Sequence, residues 1–145
     1  MMNRRFGSIV LDTAIRYIVP FILVYAVYVL IHGEDSPGGG FQAGALFGTA
    51  IVLDRLVHGD NATLNIPGFW AVVVAGGGAL IYGLIGLFSI LSGGNMLEYG
   101  MLPLGDDIVA RHVLGILGIE IGVTICVMAT IVAIFDALIR REEQL

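Results

Sequence analysis

Residues 113–135 read VLGILGIEIGVTICVMATIVAIF, and this run carries one charged side chain, Glu120. At ~1.5 Å per residue, a helix of that length crosses a hydrocarbon core of about 30 Å. Working outward, three more apolar runs appear. Residues 13–31 are interrupted only by Arg16 near the start and Pro20 inside, and residues 41–57 carry Asp54 and Arg55 in their last turn. Residues 68–91 lie within an uncharged stretch, with Pro67 and Gly68 marking the entry. The second run is the shortest before its first charge, and the Arg55 guanidinium can snorkel toward headgroups to complete it. The expectation is an all-α integral membrane protein, a single membrane domain over residues 1–145. Its four transmembrane helices are expected near 13–31, 41–57, 68–91 and 113–137.

Composition agrees. The chain is 57% hydrophobic and 13% charged, with a mean hydropathy of +0.93, whereas a soluble domain needs roughly 25% charged residues to wet its surface. A net charge of −5 and the lack of a basic stripe argue against a nucleic-acid partner. Cys126, the one cysteine, lies in an apolar run and reads as a small packed hydrophobe. The first apolar run is longer than a signal-peptide core and no small-residue cleavage site follows, so it reads as an uncleaved span. No nucleophile–base pattern, paired catalytic carboxylates or metal-ligand spacing occurs, so neither an enzyme, a resident cofactor nor a metal site is expected.

Arginine placement sets the expected orientation. Arg4, Arg5, Arg55, Arg140 and Arg141 fall on one side of a four-span chain and Arg111 on the other, which puts both termini in the cytoplasm. The outer connections are acidic, with Glu34 and Asp35 in one and Glu98, Asp106 and Asp107 in the other. Small residues mark helix contacts. Gly40, Gly44 and Gly48 recur every fourth position in the second span, Ala75, Ala79 and Gly83 do so in the third, and Gly115, Gly118 and Gly122 line one face of the fourth. Glu120 points away from that glycine face, with Thr124 one turn below it. Both faces need protein or water, which implies partner subunits.

Glu120 lies seven residues beyond Val113, about 10 Å inside the expected outer boundary, too deep for a short carboxylate to snorkel. Three readings stand: a hydrogen-bonded packing residue, a proton or sodium relay facing a hydrated cavity between subunits, or half of an intersubunit ion pair. Thr124 offers a hydroxyl to continue a water chain. Asp12 with Arg16, and Asp136 with Arg140, read as helix-end pairs at i,i+4 spacing. His32 and His112 read as interfacial anchors, and His58 is assigned no role.

The segment joining the first two spans is His32-Gly33-Glu34-Asp35-Ser36-Pro37-Gly38-Gly39-Gly40-Phe41-Gln42-Ala43-Gly44. On its own chemistry it is a tight acidic turn that lets the second span begin at once; nothing in it makes a phosphate loop. Pro37 through Gly44 resembles the signature of the MnhB/MrpB family, small membrane subunits of the Mrp-type multisubunit sodium/proton antiporters of bacteria. Span number, chain length and an arginine-containing start extend the resemblance over the whole chain. The resemblance implies a multi-pass subunit of the bacterial cell membrane, bound to other membrane subunits of a hetero-oligomeric antiporter that exchanges Na⁺ for H⁺. It also implies that Pro37, Gly38, Gly39, Gly40 and Phe41 shape a hairpin beside the ion route. Related modules occur in membrane-bound hydrogenase-type complexes, and a purely structural scaffold is a further alternative.

Overall fold

The computed structural model describes residues 9–33, 38–104 and 107–142. Four helices account for most of them: α1 (Ile9–Ile31), α2 (Gly40–His58), α3 (Gly68–Leu91) and α4 (Ile108–Glu142). All four are long and apolar enough to cross a membrane, as the sequence predicts. Each expected span lies inside one helix. α1 begins ahead of residue 13 and α4 overruns 113–137 at both ends, because a helix keeps its hydrogen bonds through the polar boundary layer.

The ends of α2 have local causes. Gly39 sits at φ +132°, a conformation side chains disfavour, and so separates the hairpin from the helix; the first bond is then donated by Ala43 N–H to the Gly39 carbonyl at 3.0 Å. At the other end Gly59 turns to φ +57° and its N–H caps the Arg55 carbonyl. α3 starts directly after Pro67, whose missing N–H costs nothing ahead of a helix. α1 runs unbroken through Pro20.

α4 is the central element, with α2 on one face and α3 on another, while α1 packs chiefly on α2. Ile15, Val19, Ala50 and Val57 form the α1–α2 seam, and Ile51, Ala71 and Val132 fill the place where α2, α3 and α4 meet. The outward surface is apolar: Phe21, Val24, Phe69 and Leu91 are each more than 70% exposed. In water such a surface would be strongly unfavourable; lipid accepts it.

Glycine sets how closely the helices approach. A Cβ on Gly44 would stand 2.8 Å from the Thr124 carbonyl oxygen, and one on Gly48 would stand 3.0 Å from Ile131, so the α2 stripe lies on α4. On α3 the inward residue is Gly78, whose Cβ would be 2.6 Å from both Gly122 O and Cys126 N. Gly76, Gly77 and Gly83 would meet nothing within 4 Å. The small-residue row through Ala79 and Gly83 thus faces outward, because the gap opposite Gly122 takes Gly78 instead.

The chain changes direction at each connection, which gives the bundle two ends. The hairpin end holds the α1–α2 and α3–α4 connections. The terminal end holds the start of α1, the α2–α3 connection and the last turns of α4.

Candidate functional site

Glu120 and the hairpin glycines, some eighty residues apart in sequence, form one site at the hairpin end. A Cβ on Gly33 would lie 2.6 Å from Glu120 Oε1 and 2.9 Å from Oε2, and one on Gly39 would lie 2.9 Å from Oε1. A Cβ on Gly40 would collide with the Glu120 carbonyl oxygen and stand 2.8 Å from its Cα. Two bare α-carbons therefore wall the carboxylate and a third admits its backbone. The motif is glycine-rich here because the acid occupies the space that side chains would need.

The half-buried carboxylate also lies at the first turn of α2. Amides of a helix's first turn lack helical acceptors and carry partial positive charge, which favours an anion there. Thr124 is buried, with Oγ1 3.0 Å from the Gly40 carbonyl and 2.7 Å from the Glu120 carbonyl. Its one proton is shared between two acceptors, so the hydroxyl ties α2 to α4 directly beneath the acid. Gly38 lies half-buried in the connection, and Pro37 falls outside the described residues. Phe41 does not join the cluster; it is 63% exposed and points off the bundle.

Other groups frame this end. His32 stacks on Tyr28 with ring centroids 4.2 Å apart. The Tyr99 ring covers Gly115 and meets His112 edge-on at 6.4 Å. Burial, reinforced by nearby Tyr82, pushes the Tyr99 phenol above its ordinary value, so it stays neutral.

The terminal end carries a second set of ionisable groups. Asp136 Oδ1 accepts from Arg55 at 2.8 Å and Oδ2 accepts from Arg140 Nε at 2.8 Å, and the carboxylate presses against Gly68, the first residue of α3. The expected Asp136–Arg140 pair is present. The Asp12–Arg16 pair is not: Asp12 Oδ1 instead lies 3.1 Å from His58 Nε2, on the neighbouring helix. Helical spacing allows a local pair, but a partner across the α1–α2 seam is better placed. His58 also meets Asp54, at 2.7 Å. The sequence assigns His58 no role, although its four-residue spacing from Asp54 puts both on one helix face.

Comparison with known proteins bears on this geometry. Residues 10–133 match the MnhB family, described as a domain related to the MnhB subunit of Na⁺/H⁺ antiporter. The B-type subunit of a Na⁺/H⁺ antiporter from Bacillus subtilis is 29% identical over 90% of this chain and 97% of its own length. A protein of the same name from Alkalihalophilus pseudofirmus is 28% identical over 90% of this chain and 96% of its own. No solved structure matches the chain.

Proposed function

The chain belongs to the MnhB family, and from that premise we propose that it is an accessory membrane subunit of a multisubunit Na⁺/H⁺ antiporter. It sits as a multi-pass protein in a bacterial cell membrane with both termini in the cytoplasm. It is a transporter subunit rather than an enzyme, it works with other membrane subunits, and Na⁺ and H⁺ are the transported ions.

The observation that carries the reading is the enclosure of Glu120 by Gly33, Gly39 and Gly40. A carboxylate this deep in an apolar helix is unfavourable by roughly 2.5–3.5 kcal/mol on insertion scales, and the hairpin offers it the start of a helix instead of lipid. Glu120 relays a proton or cation, the glycines give the carboxylate its place, and Thr124 holds the backbone beneath it. Glu120→Gln keeps the shape and removes the ionisable proton. In vesicles containing the whole complex, the variant assembles and its exchange falls by about a hundredfold, the scale of a lost proton-transfer group. An unmodified rate across pH would make Glu120 a packing residue.

Phe41 supports a neighbouring subunit, being a large aromatic one residue past Gly40 that its own bundle leaves exposed. The bare outward glycines Gly76 and Gly83 support a second contact, since backbones approach closely over such positions. Phe41→Ala weakens exchange while the complex still co-purifies intact. Equal loss of assembly and activity would reduce Phe41 to packing.

A further inference from the structure

At the terminal end, three titratable side chains from two helices join in a line. His58 Nδ1 is 2.7 Å from Asp54 Oδ1, and His58 Nε2 is 3.1 Å from Asp12 Oδ1. The other Asp54 oxygen accepts the Leu64 N–H at 3.1 Å. Exposure falls steadily along the line, from 48% for the Asp12 side chain through 23% for His58 to 8% for Asp54. A groove of about 410 Å³, open on one side, runs past Asp54 and His58, with Arg16, Asn61 and Thr63 on its polar lining.

His58 stands between two acids but is hydrogen-bonded to one. Its Nδ1 is bonded to Asp54 at 2.7 Å, whereas its Nε2 faces Asp12 at an ion-pair distance of 3.1 Å. A neutral imidazole has one N–H and one lone pair, so it donates to only one of two carboxylates, and a second proton on the ring lets it face both as a cation. The charged and titratable groups facing His58 are Asp12 and Arg16 from α1 and Asp54 from its own helix; among the described residues, α3 and α4 add none to the groove lining.

We propose that Asp12, His58 and Asp54 form a proton-exchange site, loading and releasing one proton between water at the terminal end and the interior of the α1–α2 seam. On loading, an O–H bond of hydronium breaks, an N–H bond forms on His58, and water remains; release is the reverse, and no electron moves. Asp12 is the wet contact. Asp54, fixed by Leu64 N–H, is the buried one that lines the groove. The site lies at the opposite end of the bundle from Glu120, and its part in transport rests on the antiporter reading above.

The test uses the complete complex in everted vesicles, with Na⁺-driven proton movement followed across pH. If the wild-type complex moves no protons in exchange for Na⁺, the antiporter reading fails. If it does, His58→Gln decides the site: the rate falls by about a hundredfold and one ionisation drops out of the pH profile. His58→Arg guards against a folding defect, since a fixed cation satisfies both carboxylates yet cannot cycle; that complex assembles and does not exchange. Asp12→Asn, at the exposed contact, shifts the same ionisation. An assembled His58→Arg complex running at the wild-type rate overturns the proposal. So does a uniform loss of rate with the profile unchanged in shape. Should His58→Gln fail to assemble, His58→Arg and Asp12→Asn decide the matter by the same criteria.

Discussion

Gly40→Ala, the addition of one methyl group, leaves little assembled subunit in the membrane, while Gly77→Ala is neutral or slightly stabilising. The two changes are chemically identical and both fall in helices. At Gly40 the new carbon would collide with the Glu120 carbonyl oxygen, 2.8 Å from the Cα and 2.9 Å from the carbonyl carbon. These are backbone atoms of a packed helix, with no rotamer to take up the strain. Overpacking of this kind costs about 1–3 kcal/mol and sometimes more. Here α4 also moves off the Thr124 contact to Gly40 and off the hairpin. At Gly77 nothing lies within 4 Å, so up to about 1 kcal/mol of helix propensity is gained. Co-purification with partner subunits and thermal unfolding in detergent measure both. A Gly40→Ala complex of wild-type yield and melting temperature would mean the helices stand further apart than described.

Arg55→Met gives the second large effect, at the opposite end. The Arg55 and Asp136 side chains are 14% and 10% exposed and meet at 2.8 Å, and the Arg55 guanidinium lies 5.5 Å from the centre of the Phe135 ring. Removing one partner of a buried pair costs about 3–5 kcal/mol, because the other charge stays buried without compensation. Arg140 still reaches Asp136 but is itself mostly exposed, at 67%, so the loss falls near the lower figure. Replacing both, Arg55→Met with Asp136→Leu, recovers most of it, since no unpaired charge is left. Melting temperatures of the two single variants and the double form a cycle that isolates the pair. Losses that simply add would show the two residues to be energetically independent.

The helices were legible in the sequence for a physical reason: a chain dissolved in lipid must cover its backbone in helices and its surface in apolar side chains. Both leave long uncharged runs. The α2 glycine stripe was legible too, and it does lie on α4. Which small residues of α3 turn inward was not, because only the position of Gly122 on another helix selects Gly78 over the row through Gly83. Ionisable groups resist sequence reading where the partner is remote. Spacing offers Arg16 to Asp12, whereas the fold brings His58. Glu120 and the glycine hairpin are each conspicuous, but their union depends on α2 lying against α4, which no local pattern encodes.

The two acids of α4 have one more consequence. Glu120 stands at the start of α2 and Asp136 at the start of α3, sixteen residues or about 24 Å apart along one rigid helix. α2 and α3 start from opposite ends of the bundle, so α4 is pinned at both. A slide of α4 by a single turn, about 5.4 Å, would draw both carboxylates from their seats together. α4 is thus a strut rather than a piston. α1 packs chiefly on α2 and is joined to it by the Asp12–His58 contact, so it has no such pin on α4.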